Sequence, residues 1–182
     1  MEKKYVRVMG GLKSNAGGFD FKLNEINIAN VWNPNTYNPK EMGGFNFSTT
    51  DKILRWLHRG DTIYDVIIPD DADVILCDEY KGIYRANKII VSNPRKITDE
   101  MVMEFYKINT LSSKVIYQCL VTLLYKNRIN IVKYIINDYI TIDNIKDAIE
   151  EFENYVTNGD FEYNKLSNDE KEIYDILKSI KK

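Results

Sequence analysis

"GGFNFSTTDKILRWLHRGDTIYDVIIPDDADVI", residues 43–75, is the stretch on which the reading of the fold turns. Phe45 and Phe47 alternate with small polar residues, the two-residue period of a half-buried strand. Thr49 or Thr50 then stands where a cap is needed for a helix over Asp51–His58, with Ile53, Leu54 and Leu57 as its apolar face. Past Gly60, Asp61–Ile68 is the strongest strand pattern in the chain. Pro69-Asp70-Asp71 ends it in a turn, since proline cannot donate to a ladder and the acids favour turns, and Ala72–Leu76 is the next strand. Strands punctuated by Gly, Asp and Pro predict a sheet here.

Outward from that segment the chain changes character near Pro94. On the N-terminal side, Lys4–Met9 reads as a strand stopped by Gly10-Gly11, and Phe19-Asp20-Phe21 as a short strand behind Gly17-Gly18. Asn24–Met42, rich in Asn and Pro, reads as an irregular loop around Trp32. Lys88–Val91 is a strand closed by Asn93-Pro94. From there to Gly159 neither Gly nor Pro occurs and the apolar period lengthens to that of helices. Thr98, Ser112 and Thr141 are placed as helix starts, and Ser167-Asn168-Asp169-Glu170 has the form of a capping box. Strands followed by helices predict an α+β chain, with a β-rich unit over residues 1–96 and a helical unit over 97–182.

Composition narrows the function classes. A hydrophobic fraction of 44% and a charged fraction of 29% belong to an ordinary globular protein. A formal net charge of -2 argues against a generally basic nucleic-acid binder. The 2 cysteines, Cys77 and Cys119, sit in separate apolar runs and read as reduced, buried small hydrophobes; with 1 His they are too few for zinc. No apolar run approaches the roughly 20 residues of a membrane span, and the expectation is a cytoplasmic protein. Lys, Asn, Ile and Tyr are abundant, as in proteins of AT-rich genomes.

Three motifs suggest chemistry and fall short of it. Lys13-Ser14 follows Gly11, but the glycine spacing is not that of a phosphate-binding P-loop. Asp70, Asp71, Asp73, Asp78 and Glu79 lack the ligand order of a calcium loop and read as solvated turn residues, so no metal is expected. His58, between Arg55 and Arg59, reads as a solvated helix-end residue with no triad around it.

Taken together, residues 4–95 resemble the mono-ADP-ribosyltransferase fold, a split β-sheet, in the branch built on an Arg, a Ser-Thr-Ser strand and a Glu. Tyr5-Val6-Arg7-Val8 is similar to its first strand, Phe45-Asn46-Phe47-Ser48-Thr49-Thr50 to its aromatic-x-Ser-Thr-Ser strand, and Ile63–Val74 to its next strand and turn. The resemblance implies that Arg7 holds a phosphate or ribose of NAD, that Ser48 and Thr50 shape the nicotinamide pocket, and that Tyr64 or Tyr84 stacks on the ring. It also implies an acid just before the strand that ends in Pro94-Arg95, where this chain has Arg85, Ala86 and Asn87. Asn87 can hydrogen-bond but cannot oppose a developing positive charge, which leaves Glu79 upstream as the remaining carboxylate. With Arg59-Gly60-Asp61 before an apolar strand and "RANKIIVSNPRKIT" after it, this half also resembles uncharacterised domains of giant viruses and low-GC bacteria.

Two functions follow as expectations. The first is a degenerate, transferase-like module that binds a protein partner through Trp32, Tyr37 and Phe45, as a phage- or virus-encoded inhibitor of a host defence complex would. The second is an active mono-ADP-ribosyltransferase or NAD glycohydrolase with NAD as its cofactor.

Overall fold

The computed structural model describes residues 4–14, 18–157 and 159–180, so Gly17 of the second glycine pair lies outside it. In chain order the elements begin with β1 (Tyr5–Met9), β2 (Ile26–Ile28), α1 (Pro39–Met42), β3 (Phe45–Thr49) and a 3-10 helix (Ile53–Arg59). Next come β4 (Thr62–Ile67), β5 (Val74–Asp78), β6 (Ile83–Ala86) and β7 (Lys88–Lys96). The helices α2 (Asp99–Ile108), α3 (Ser113–Tyr125), α4 (Ile129–Tyr139), α5 (Ile145–Thr157) and α6 (Asn168–Ser179) complete the chain, with a 3-10 turn at Tyr163–Lys165. This is an α+β chain, as the patterning predicts. Among the described residues no helix is long and apolar enough to cross a membrane.

The seven strands form one sheet in the order β2-β7-β4-β1-β3-β6-β5, and every neighbouring pair is antiparallel. Side-chain alternation gives the sheet two buried faces. On one, Met9, Phe45, Phe47, Tyr64 and Val91 pack with Phe21 from the segment that follows β1. On the other, Val6, Val8 and Ile63 are buried where β1 packs against the 3-10 helix, which in turn packs against α2. Each fully buried Leu or Ile there contributes about 1.5–3 kcal/mol.

Several local expectations are corrected. Phe19-Asp20-Phe21 forms no strand; β2 lies instead inside the expected loop, held by buried Asn27, whose Oδ1 accepts from Lys22 N at 2.7 Å. The segment after Thr50 is a 3-10 helix without a side-chain cap: its N-cap position is Lys52, and the Thr50 hydroxyl accepts the Lys4 backbone N–H at 3.2 Å. β7 does not stop at Asn93-Pro94. A bulge between the Ile63 and Asp65 pairings absorbs them, with Asn93 at φ 48, and the ladder resumes to Lys96. Cys77 is exposed, since β5 is an edge strand.

The chain divides into two compact units, Met1–Thr110 and Leu111–Lys182, so the break falls after α2 and not at residue 96. α2 belongs with the sheet because its C-terminal end is tied to the start of the 3-10 helix. Thr110 donates through N to Asp51 O at 3.0 Å and through Oγ1 to Asp51 Oδ2 at 2.8 Å, and Lys52 Nζ donates to Thr110 O at 2.5 Å. Within the second unit α3 is the buried centre, packed by α4, α5 and α6. The Ser167 capping box is present: Glu170 N donates to Ser167 Oγ at 3.3 Å, and Ser167 N to Glu170 Oε2 at 2.7 Å.

Candidate functional site: a cationic cleft where the sheet parts

β3 is shared between two halves of the sheet. Its C-terminal end pairs with β1 as Tyr5↔Thr49 and Val6↔Ser48, and there the β1–β3 ladder stops. Its N-terminal end pairs with β6 as Phe45↔Ala86, Asn46↔Arg85 and Phe47↔Tyr84. Beyond Val6, β1 stays with β4, so the sheet parts between Arg7–Met9 and Phe45–Phe47.

A cavity of about 190 Å³ opens at this parting. Its walls come from β1 (Val6–Met9), from Asn46, Phe47 and Ser48 of β3, from Ile53, Trp56 and Arg59 of the 3-10 helix, and from Lys13 and Ser14. Arg7, Lys13 and Arg59 bring positive charge, and no Asp or Glu is among the described lining residues.

Arg7 sits at the mouth of the parting. One guanidinium NH2 group donates to the Asn46 carbonyl across the gap, and its carbon lies 5.0 Å from the centroid of the Phe21 ring. Burial, and after it the neighbouring Arg59 cation, lower its pKa to about 10. The group therefore stays charged at neutral pH, in a setting that disfavours its charge. Arg59 is brought close because Gly60 presses against the end of β1: a Cβ on Gly60 would lie 1.9 Å from the Met9 carbonyl carbon.

Donors in and beside this wall lack partners. Ser48 is 2% exposed and its Oγ has none; the same holds for Arg7 Nε and Trp56 Nε1. The Trp56 ring has the Arg55 and Arg59 guanidinium carbons at 5.7 and 5.8 Å and stacks with His58 at 6.1 Å. Behind Asn46 stands a second guanidinium: Arg85, 7% exposed, donates from Nε to Asn46 Oδ1 at 2.6 Å, and its NH1 has no partner. Asn46 thus accepts from two arginines, one on its backbone and one on its side chain. Buried donors normally find partners, so a cluster of unpartnered ones in one cationic wall is a departure from the usual pattern.

Of the residues singled out from sequence, Arg7 and Ser48 share this cleft. The others lie elsewhere. The Thr50 hydroxyl serves the Lys4 N–H. Tyr64, opposite Arg7 on β4, is buried in the apolar face, where burial raises its pKa. Tyr84 stacks on Phe47 at 5.7 Å and meets Tyr5 edge-on at 5.2 Å. Asn87 is committed to Asp73, accepting its N–H at 2.9 Å and donating to its carboxylate at 3.0 Å. Glu79 is exposed in the turn between β5 and β6, outside the cleft.

Of the expected partner-binding aromatics, Tyr37 is 99% exposed and Trp32 is partly covered, bridging to Gly43. Phe45 is corrected: it is 6% exposed, with Phe19 and Phe21 at 4.8 and 5.1 Å, and offers no surface to a partner. Sequence reasoning did not find Trp56 or Asn46; it set Lys13-Ser14 aside for want of P-loop spacing, met Arg59 only as a neighbour of His58, and met Arg85 only where an acid is due. The run "LRWLHRG" carried the signal, since two arginines flank a tryptophan at one helical turn's spacing. Compared with known family models, curated proteins and solved structures, the chain matches none.

Proposed function

We propose that the Met1–Thr110 unit is a degenerate ADP-ribosyltransferase-like domain that binds an anionic ligand in this cleft and does not transfer ADP-ribose. One observation carries the reading. Arg7, whose guanidinium is desolvated, and Ser48, whose buried hydroxyl has no partner, line the same cavity, with Lys13 and Arg59 beside them and no Asp or Glu among the described lining residues. The resemblance supports the fold half of the proposal, because it puts an Arg and a Ser on two strands of a split sheet. It also supports the absence of chemistry. Departure of nicotinamide leaves a ribosyl cation that a carboxylate must stabilise. Where that acid is due, this chain has a buried Arg85 bound to Asn46 and an Asn87 bound to Asp73.

The test pairs binding with turnover. Isothermal titration of the full chain with inorganic pyrophosphate should show saturable binding that Arg7→Gln weakens at least tenfold, a loss of the size expected for a hydrogen bond to a charged group. Incubation with NAD should release no nicotinamide by chromatography. Absence of any anion binding would sink the reading; nicotinamide release abolished by Glu79→Gln would replace it with the enzymatic one.

A further inference from the structure

The proposed anion-binding reading leaves the class of ligand open, and the following rests on it. We infer that the cleft selects a small phosphate monoester, a dianion with three free oxygens, over a dinucleotide whose phosphates are singly charged diesters.

Size is the first argument. The cavity of about 190 Å³ is smaller than the roughly 300–1,000 Å³ of pockets that enclose drug-sized ligands. A phosphoryl group and part of a sugar suit a space of this size better than a whole dinucleotide does. A dinucleotide would leave most of its surface outside.

Charge is the second. Arg7, Lys13 and Arg59 line the cavity, and Arg85 stands behind Asn46 with an unpartnered NH1. No Asp or Glu is among the described lining residues. Two negative charges on one phosphorus relieve this repulsion more than one does. With an effective dielectric near 20 and about 10 Å of separation, the extra charge favours the monoester about tenfold or more. A ligand that also carries a cationic ring would bring that ring toward the same guanidinium groups.

Donor geometry is the third. Ser48 Oγ, Arg7 Nε and Trp56 Nε1 are three unpartnered donors on three different elements: β3, β1 and the 3-10 helix. A tetrahedral terminal phosphate presents three equivalent oxygens in three directions. A diester phosphorus presents two.

The experiment is a titration of 15N-labelled full chain, following the Trp56 indole N–H cross-peak with inorganic phosphate, ribose 5-phosphate and NAD. The expected result is a saturable downfield shift with ribose 5-phosphate, and about tenfold weaker binding of NAD. Inorganic phosphate should compete with both, which shows that the phosphoryl group itself is recognised. Lys13→Gln, at an exposed position that leaves the fold intact, should narrow the gap between the two ligands. Equal affinity for ribose 5-phosphate and NAD, unchanged in Lys13→Gln, overturns this inference and leaves anion binding standing. A Trp56 cross-peak indifferent to all three probes, with no binding by calorimetry, overturns both.

Discussion

Ser48→Ala tests the site in two directions at once. The Ser48 hydroxyl is buried and has no hydrogen-bond partner, so it is a cost to the fold: an unsatisfied buried polar group costs about 1–3 kcal/mol. Alanine removes the oxygen and leaves a void smaller than a methyl group, whose penalty is only a few tenths of a kcal/mol by the ~24 cal/mol per Å³ scale. The net expectation is stabilisation by about 1 kcal/mol. Both tryptophans, Trp32 and Trp56, lie in the Met1–Thr110 unit, so fluorescence during urea unfolding reports on that unit. The midpoint should rise with no change in slope. Calorimetry on the same variant should show anion affinity falling about tenfold, from loss of a hydrogen bond to a charged ligand. Destabilisation by 1 kcal/mol or more would show that the hydroxyl is satisfied in the folded protein, and the argument from orphaned donors would fail.

Other outcomes follow from single features. Gly60→Ala places a Cβ 1.9 Å from the Met9 carbonyl carbon, an overlap only backbone movement relieves; it should cost several kcal/mol in urea unfolding and separate Arg59 from Arg7. Ser167→Ala removes one half of the capping box of α6 and should cost about 1 kcal/mol, seen as a small loss of helical circular dichroism stability. Tyr174, shielded from water and donating to Glu153 at 2.6 Å, has its pKa raised to about 12. Because the unfolded chain releases this proton near pH 10, the contribution is intact below pH 10 and is lost as pH rises toward 12. It amounts to on the order of 1–2 kcal/mol after solvent screening. Wild type should lose stability over that window by circular dichroism, and Tyr174→Phe should lose less.

Legibility varied along the chain for physical reasons. β1, β3 and β4 were readable because their alternation or apolar runs are long enough to outweigh noise, and the last helix because its capping box is a local device. β2 and β6, at 3 and 4 residues, carry no period of their own; they exist because β7 and β3 offer them ladders. Pro94 misled because a proline ends a strand unless a bulge absorbs it, and bulges depend on the partner strand. α2 read as the first helix of a helical unit, whereas Thr110, Asp51 and Lys52 bind its end to the sheet's own 3-10 helix across more than 50 positions of chain (|i−j| 58 and 59).

For the cleft the division is sharper. Arg7 and Ser48 could be picked out from their strands, since strand period and local motif are properties of neighbouring residues. Amino-acid order alone also gives the α+β plan, the shortage of His and Cys for a zinc site, and the lack of an acid at residues 85–87. That Arg7 reaches the Asn46 carbonyl, that Asn46 also receives Arg85, and that Lys13, Trp56 and Arg59 close the wall required the folded chain. Those groups are 39 positions apart in each Asn46 pair, and desolvation and charge repulsion act through distance in space, which the order of residues does not encode. The parting of the sheet has the same origin: β3 pairs with β1 at Ser48 and Thr49 and with β6 at Phe45–Phe47, a division that only the folded sheet shows.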